Sequence, residues 1–323
     1  MPFPPELTRA LDGLLEGIPR RELAAAAKAM SEGYRKGETS RPIATPVQAL
    51  AYAVARMPAT YAACAAVFAR LKEVMPGFAP ASLLDVGAGT GAAGWAAHAA
   101  WPGLSSVTML DRNPALRELA RKLAESGLPP TEILSGDLAG RKPRADLAVA
   151  SYVLAELPDD SVAKIAVDLW RFANSALALI EPGTPAGFAR IRAARTALIA
   201  AGAHVAAPCT HDKACPMAGR SVRESGSDQQ NDWCHFSQRL PRSRDHMLLK
   251  EAQVPFEDER YAYLVVTREK VATGARILAP PLEEKPGMTF RLCDENGLRA
   301  QHVARRDKEE YRRVRKKDWG DLF

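Results

Sequence analysis

The sequence lacks the features that mark membrane, exported or repetitive proteins. No apolar run in the 323 residues reaches the roughly 18 residues that are needed to cross a bilayer. The opening stretch, MPFPPELTRALDGLLEGIP, has no basic flank before an apolar core, so it does not resemble a secretory signal. Internal repeats and low-complexity segments are missing too. These absences predict a soluble, cytosolic globular protein that has no membrane partner.

Cysteine is scarce, yet three of the five cysteines lie near one another in the sequence. Cys209 and Cys215 are separated by five residues, and Cys234 follows after eighteen more. Because cytosolic thiols stay reduced, clustered cysteines are more often metal ligands than disulfides. The isolated Cys64, in an Ala-rich apolar stretch, is predicted to pack in the core instead. The candidates for a fourth donor are Cys293, His211 and His235.

The cysteine spacing does not identify the metal. Zinc accepts four cysteines or three cysteines and a histidine, whereas an iron–sulfur cluster takes four thiolates. The short C-x2-C pair of zinc ribbons is absent. A third possibility is that these are unrelated cysteines of a polar loop, which the neighbouring Pro208, Pro216 and Trp233 make less attractive.

Hydrophobic periodicity indicates a helical beginning followed by alternating strands and helices. Residues 6–36 and 47–75 have the spacing of helices, with a break at Pro19. Between residues 82 and 182, short apolar runs alternate with helical stretches, which predicts a parallel sheet wrapped by helices. The predicted parts are an N-terminal helical region (1–76), a Rossmann-like α/β domain (77–205 and 244–285), a Cys-rich metal-binding insertion (206–243), and a C-terminal hairpin with a basic arm (286–323).

The stretch LLDVGAGTGAAG ends a predicted strand and opens a predicted helix. Gly87, Gly89 and Gly91 permit a tight turn and a close approach of the backbone to a ligand. Asp85 comes just before the first glycine, and Asp111 ends the next strand, where a carboxylate suits two ribose hydroxyls. A third acid, Asp137, follows the third strand.

This pattern of acids and glycines resembles the class I S-adenosylmethionine-dependent methyltransferases. The resemblance implies a glycine loop under the methionine moiety, Asp111 on the ribose, and Asp137 by the adenine, flanked by Gly136 and Leu138. A dinucleotide dehydrogenase is the rival, because it also combines a glycine loop with a ribose acid, but the spacing D-x-G-x-G-x-G favours the methyl donor. A glycine turn without a ligand is the remaining alternative.

Catalytic residues are harder to identify than binding residues. Amino-group methyltransferases of this fold often carry Asn/Asp-Pro-Pro-aromatic after the fourth strand, and this chain has SYVLAEL there instead. Base-carbon methyltransferases need a nucleophilic cysteine in that region, and none is present. Tyr152 and Glu156 are the weak candidates that remain, Glu156 as a proton acceptor. Binding of the methyl donor is therefore better supported than its transfer.

Positive charge is concentrated near the end of the chain. Nine Lys or Arg residues and three acids lie between Arg299 and Lys317. This basic arm, with the rings of Tyr311 and Trp319, suits RNA, because cations neutralise phosphates and rings stack on unpaired bases. A solvated helical face with Glu–Arg pairs is the alternative. A smaller basic patch is formed by Arg35, Lys36 and Arg41.

The motifs PCTHDKACPM and DWCHFSQR, after LLDVGAGTGAAGWAA and EPGTPAGF, resemble the Rsm-type small-ribosomal-subunit methyltransferase-like family, and so does the ending YRRVRKKDWGD. The resemblance covers about residues 40 to 320. It implies a Rossmann-like methyltransferase domain that carries a 4Fe–4S cluster on Cys209, Cys215, Cys234 and Cys293. It also implies contact with small-subunit ribosomal RNA. A polar insert, AGRSVRESGSDQQN, lengthens the gap between the second and third cysteines.

Three functional hypotheses follow for the chain. It is an RNA methyltransferase, or it is an assembly factor of the small ribosomal subunit that uses the methyl donor and the cluster without catalysis. The more distant hypothesis is a zinc-containing methyltransferase that acts on a small molecule. Because the start of the chain does not resemble a transit peptide, the expected location is the bacterial cytoplasm.

Overall fold

A computed structural model describes most of the chain. The described residues are 3–35, 43–136, 142–218, 233–271 and 274–323, without the side chains of 31–35. Their helices are α1 (Pro5–Leu15), α2 (Arg20–Arg35), α3 (Pro46–Val74), α4 (Ala92–Ala100), α5 (Pro114–Ala124), α6 (Val162–Trp170), α7 (Pro185–Ala200), α8 (Arg244–Leu249) and α9 (Lys308–Val314). Their strands are β1 (Ser82–Val86), β2 (Ser106–Asp111), β3 (Thr131–Ser135), β4 (Ala145–Ser151), β5 (Ala173–Pro182), β6 (His204–Ala207), β7 (Phe236–Pro241), β8 (Phe256–Thr267), β9 (Arg276–Ile277), β10 (Leu282–Glu283), β11 (Gly287–Asp294) and β12 (Gly297–Ala304).

The main sheet has the strand order β3-β2-β1-β4-β5-β8-β6. The strands from β3 to β5 in this order are parallel, and β8 runs antiparallel to both β5 and β6. The predicted alternation of strands and helices between residues 82 and 182 is confirmed. Because parallel strands end at one edge, the loops after β1, β2 and β4 meet there, at the point where the order reverses.

Alternating side chains of the central strands divide the core into two layers. Leu83 packs on the side of α3, α4 and α5, while its neighbour Leu84 packs on the side of α6 and α7. Val149 and Ala148 of β4 divide in the same way. Successive residues of a strand point to opposite faces, so a strand that is buried on both faces reads as one continuous apolar run.

The long helix α3 covers one face of the sheet. It starts at a capping box, in which Thr45 Oγ1 accepts from the Gln48 amide and the Gln48 side chain accepts from the Thr45 amide. By length and composition alone α3 is apolar enough to cross a membrane, but 72% of its most apolar window is buried inside the protein. It is the core helix of this fold, and Cys64 is fully buried in it, as predicted.

Strand β8 has two partner strands along its second edge. β7 pairs with its first half as far as Tyr261, and β6 pairs with its last residues from Val265 onward. The chain that links β6 to β7 contains Cys209, Cys215 and Cys234. The cysteine segment therefore leaves and rejoins the sheet beside the middle of β8.

The C-terminal residues form a second, antiparallel sheet in which β11 pairs with β9, β10 and β12. The predicted C-terminal hairpin is formed by β11 and β12, which a turn at Glu295 and Asn296 joins, and Gly297 at the start of β12 has a positive φ. The end of the chain folds back onto the structure: the Phe323 amide donates to Ala275 O, and Asp321 pairs with Arg70 of α3 at 2.7 Å.

Candidate functional site

The glycine loop after β1 forms an open cradle. Gly87, Gly89 and Gly91 all have positive φ, which disfavours any side chain at these positions. A Cβ at Gly87 would lie 2.6 Å from Val153, and one at Gly91 would lie 2.7 Å from Met109. At Gly89 the nearest atoms belong to Tyr52 and lie 3.8 Å away, which leaves room above the loop. The amides at the start of α4 lie directly beyond it.

Asp85 is a fully buried carboxylate beneath this loop. Neither of its oxygens makes a hydrogen bond of ordinary length and angle to the described residues, although the Gly94 amide is close enough to favour its ionised form. Burial and the charge of Asp111 raise the pKa of Asp85 to about 7, against the opposing effect of the Gly94 amide. A buried carboxyl without an ordinary hydrogen bond beside an open cradle suits a cationic or hydrogen-donating group of a ligand.

Replacing Asp85 by asparagine is expected to stabilise the ligand-free protein at pH 8. The pKa is about 7 in the folded state and has an ordinary value near 3.8 in the unfolded chain, so ionisation disfavours folding progressively between these values. Ionisation between these pKa values costs about 4 kcal/mol at pH 8, and burying the polar asparagine amide cancels much of the gain. We therefore expect the variant to gain about 2–4 °C in melting temperature at pH 8, or about 1 kcal/mol, and little at pH 4. Melting curves across this pH range measure the difference.

Asp146→Asn is the matched control for Asp85→Asn. The Asp146 carboxylate accepts from the amides of Ala81 and Ser82, and these hydrogen bonds lower its pKa despite partial burial. Its ionised form therefore stabilises the fold, so the wild type gains stability as the pH rises through the acidic range and Asp146→Asn, which lacks this gain, falls increasingly below it. A loss of stability in Asp85→Asn that grows with pH would contradict the assignment of a raised pKa.

Asp111 lies at the end of β2, beside the glycine loop. One of its oxygens accepts from the Gly89 amide at 2.8 Å, and the other accepts from the Asn113 amide at 2.7 Å. A carboxylate has about four acceptor positions, so two remain for ribose hydroxyls. Gly136, after β3, donates its amide to Asp111 O at 3.3 Å, and a Cβ there would lie 2.8 Å from Leu110. The predicted residues Asp137 and Leu138 lie outside the described residues.

The catalytic candidates Tyr152 and Glu156 follow β4 and are both engaged. The Tyr152 hydroxyl donates to Glu259 Oε1 at 2.7 Å, and its φ of 58° is unusual for a bulky residue. Burial and the Glu259 charge raise the pKa of Tyr152 well above its ordinary value, so it is a hydrogen-bond donor rather than a base at neutral pH. Glu156 pairs with Arg112 at 3.2 Å, and burial raises its pKa.

Two acids at the same edge were not identified from the sequence. Glu181, at the end of β5, is fully buried, and its Oε1 accepts from the Leu154 amide at 2.9 Å. Burial raises its pKa to about 7. Glu259 of β8 is the partner of Tyr152. The segment EPGTPAGF was a usable signal for Glu181, because it begins at the end of a predicted strand, whereas Glu259 lies in a strand without any motif.

The four predicted metal-binding cysteines line one cavity of about 30 Å³. Its wall is completed by α7, the middle of β8 and β9. Burial, followed by the charges of Cys209, Cys215 and Cys293, raises the pKa of Cys234 well above its ordinary value. Burial and the charges of Cys209 and Cys215 likewise raise the pKa of Cys293 to about 12. The cavity thus brings Cys293 of the second sheet to the segment between β6 and β7.

The four cysteines line the cavity without forming a compact group of donors within the described part of the chain. Throughout the described ranges, no three His, Cys, Asp or Glu donors are grouped closely enough to hold one metal ion. The two histidines that were alternative donors do not line the cavity. His211 is buried next to Arg195, and the His235 ring stacks on Trp233 with its Nδ1 3.0 Å from Trp233 O.

Two buried arginines that the sequence did not single out also line this cavity. Arg195 of α7 donates through Nη2 to the carbonyls of His211 and Lys213 at 2.7 and 2.8 Å. Arg276 of β9 donates to Pro208 O at 3.1 Å, and its Nη1 pairs with Glu73 at 2.7 Å. Arg276 thus connects the second sheet to α3 and to the residue before Cys209.

The predicted basic arm is an ordered part of the second sheet and its flanking helix. Arg299, Arg305 and Arg313 form ion pairs with Asp294, Glu283 and Glu310, respectively. The basic segment is defined here as the exposed cations of this region that make no ion pair with a described carboxylate: Arg306, Lys308, Arg312, Arg315 and Lys316. Lys36 and Arg41 of the smaller patch lie outside the described residues, as does the side chain of Arg35.

The strand order, the glycine cradle and the acid after β2 define the fold of the class I methyltransferases. The predicted α/β Rossmann-like class is therefore confirmed. The chain belongs to the family described as mitochondrial small ribosomal subunit Rsm22, whose sequence profile matches residues 46–323. This confirms the resemblance that the cysteine motifs and the glycine loop carried.

Two curated relatives are similar to most of this chain. The human mitochondrial ribosome assembly protein METTL17 is 28% identical over 300 residues, which cover 85% of this chain and 62% of that protein. The Rsm22-cox11 tandem protein 2 of Schizosaccharomyces pombe, also mitochondrial, is 26% identical over 357 residues, covering 94% of this chain and 46% of that protein. The chain thus spans only part of the length of each relative.

Solved structures with a similar fold include two methyltransferases. The magnesium protoporphyrin IX methyltransferase of Synechocystis, with bound S-adenosylhomocysteine, is 12% identical, has a TM-score of 0.43, and covers 75% of this chain and 94% of its own. A putative RNA methyltransferase from Pyrococcus horikoshii is 11% identical, with a TM-score of 0.41 and coverages of 63% and 80%. At these values the fold assignment rests on the strand order.

The expected bacterial cytoplasmic location is contradicted. The family description and both curated relatives are mitochondrial, so the similarity points to the mitochondrion. The expectation depended on the composition of the first residues. Such a short stretch is weak evidence about location compared with a family match over most of the chain.

Proposed function

We propose that this chain binds S-adenosylmethionine and a 4Fe–4S cluster and takes part in assembly of the small ribosomal subunit. The observation that carries the proposal is the cavity that Cys209, Cys215, Cys234 and Cys293 line together. The role in assembly follows from the family, and from the human relative whose name describes a ribosome assembly protein.

The methyl-donor site is supported by the fit of the glycine loop and two acids. Asp85 offers a buried carboxylate without an ordinary hydrogen bond beneath the cradle, where the donor's ammonium group would lie. Asp111 keeps two acceptor positions for the ribose hydroxyls. The adenine of the methyl donor would lie beside Gly136. S-adenosylmethionine supplies an electrophilic methyl group when bound. The chain's own part is to position it at the carboxyl edge of the sheet.

Asp111→Asn is expected to weaken S-adenosylmethionine binding at least about tenfold, because hydrogen bonds to a charged acceptor contribute about 1.5–3 kcal/mol. Titration calorimetry on the purified protein measures the change. Asp168→Asn is the control, since that carboxylate pairs with Arg171 on α6. Equal affinity in the Asp111 variant and the wild type would contradict the assignment of the ribose acid.

A cluster is proposed over a single zinc ion because the family resemblance implies a 4Fe–4S centre. The cavity of about 30 Å³ that all four cysteines line is where it would bind. Four thiolates around a larger inorganic core match the ligand set of a 4Fe–4S cluster.

An experiment on small ribosomal subunits distinguishes an active RNA methyltransferase from a non-catalytic assembly factor. Immature subunits from cells that lack the protein are incubated with purified protein and labelled S-adenosylmethionine, and the RNA is examined for a restored methyl group. Restoration by the wild type but not by Asp111→Asn supports an active methyltransferase. Recovery of assembly in cells by either protein, without any methyl group, supports the non-catalytic role.

The basic segment is the proposed contact with ribosomal RNA. Its cations are exposed and have no ion-pair partner among the described residues, so they are available to phosphates. Contacts of this kind fix position without reading sequence. They also release counterions, which makes affinity depend steeply on salt.

Replacing Arg312, Arg315 and Lys316 together by glutamine is expected to reduce the salt dependence of RNA binding. If each cation neutralises one phosphate, the slope of log K against log salt falls in magnitude by about 2–3. Filter binding to a small-subunit ribosomal RNA fragment measures it. Replacing Arg9, Arg121 and Arg171, which are exposed but form helical ion pairs, is the control. An equal slope in both triple variants would exclude the basic segment.

A further inference from the structure

The charge of Arg195 is not balanced by a carboxylate. Its side chain is nine-tenths or more buried, with only 5% of the residue exposed. No ion pair joins it to any of the described acids, in contrast to Arg276, whose guanidinium pairs with Glu73. A buried guanidinium without an anion is unfavourable by several kcal/mol. A negatively charged group next to Arg195 would therefore offset the free-energy cost of burying its guanidinium.

The cysteine cavity is where that partner would lie. Arg195 lines the cavity with all four cysteines, and its Nε has no hydrogen-bond partner among the described residues. The donor that remains free on the guanidinium thus lies beside the thiols.

Arg195 also holds the loop that carries the first two cysteines. Its Nη2 bridges the carbonyls of His211 and Lys213, which lie in the five-residue link between Cys209 and Cys215. One planar group therefore restrains the spacing of two thiols and keeps another N–H directed away from those carbonyls. Lysine carries the same charge, but it lacks the rigid planar group in which Nη2 donates to two carbonyls while Nε remains available to the cavity.

We propose that Arg195 is the positioning and charge-balancing residue of the cysteine site. It fixes the loop between Cys209 and Cys215, and it supplies a positive charge and a hydrogen bond to an anionic, thiolate-ligated metal centre. This inference rests on the proposed function, because it presumes that the four thiols bind a metal centre. Hydrogen bonds to the sulfur atoms and a nearby positive charge both raise the reduction potential of such a centre.

The test compares Arg195→Lys with Arg195→Gln in protein whose cluster is reconstituted anaerobically from ferrous iron and sulfide. Both variants lose the planar guanidinium group, and only the lysine variant keeps the positive charge. The readouts are the midpoint reduction potential and the chelator concentration that removes half of the iron. We expect the glutamine variant to lose half of its iron at a chelator concentration about 10- to 100-fold lower than the wild type does, as for other residues that support metal ligands. Its potential is expected to be lower than that of the lysine variant.

The control is Arg192→Gln, one turn earlier on α7. Arg192 lines the same cavity, but its guanidinium lies over the Phe188 ring, 5.8 Å from the centroid. Melting temperature and circular dichroism confirm that each variant is folded. Equal potentials and iron retention in the lysine and glutamine variants, or wild-type retention in both, contradict the role of the Arg195 charge. Failure of the wild type to take up iron and sulfide contradicts the proposed cluster itself.

Discussion

Cys293→Ser is expected to abolish metal binding and to destabilise the protein strongly. Cys293 lies on β11, whereas the other three thiols lie between β6 and β7, so a shared centre closes a long loop between two sheets. A group present at about 1,000 times its Kd stabilises the folded state by about 4 kcal/mol. For a domain of this size, that loss lowers the melting temperature by roughly 10 °C.

The control for this variant is Cys64→Ser, another buried cysteine. Cys64 packs inside α3, on the opposite face of the sheet from α7. It should keep full metal content even if the new hydroxyl lowers stability somewhat. Iron and zinc analysis, together with melting curves, separate the two effects. Unchanged metal content in Cys293→Ser would show that the second sheet contributes no ligand.

Arg276→Met is expected to destabilise the protein by about 3–5 kcal/mol, the usual effect of breaking a buried ion pair. Arg276 is fully buried, and its guanidinium contacts three separate parts of the chain: Pro208 O, Glu73 and Gly320 O. The methionine removes the charge and leaves Glu73 and two carbonyls with fewer partners. Chemical denaturation of the metal-free protein measures the loss without any contribution from a cluster.

A double-mutant cycle with Glu73→Gln tests the cause of this loss. If the Glu73 carboxylate, which keeps only Arg70 and the Leu322 amide as partners, is responsible, the double variant recovers part of the stability that Arg276→Met loses. Arg299→Met is the surface control. Arg299 is partly exposed and pairs with Asp294, so its replacement is expected to change stability by about 0–1 kcal/mol. Losses of similar size at Arg276 and Arg299 would contradict a buried connecting role.

The sequence predicts the parts of the fold whose signals are local. The continuous apolar runs of β1 and β4 predict strands that are buried on both faces, and the glycine spacing after β1 predicts the cradle. In each case the pattern lies within about a dozen residues, so periodicity and backbone chemistry are sufficient. The acid after β2 is found because its distance from the loop is a property of the βαβ unit.

Contacts between distant residues are not readable in this way. Arg276 and Pro208 are 68 positions apart, and their hydrogen bond depends on how the second sheet docks on the first. The insertion of β8 between β5 and β6 is equally hidden, because antiparallel pairing leaves no spacing signal. Spacing alone left the fourth donor open between Cys293 and two histidines, and only the family resemblance favoured Cys293.

The engaged state of the catalytic candidates is also a tertiary property. Tyr152 follows β4, as the sequence predicts, but its partner Glu259 lies 107 residues away on β8. Their hydrogen bond favours the protonated tyrosine and fixes the position of its hydroxyl group. The local sequence SYVLAEL contains no sign of this pairing, so it did not reveal whether the hydroxyl was free.

The most direct measurement is the metal and sulfide content and the visible spectrum of full-length protein purified without oxygen. The account predicts a brown protein with four iron and four sulfide per chain, and a chromophore that disappears in Cys215→Ser and Cys293→Ser but persists in Cys64→Ser. A colourless wild type that contains one zinc ion, or no metal at all, would contradict it.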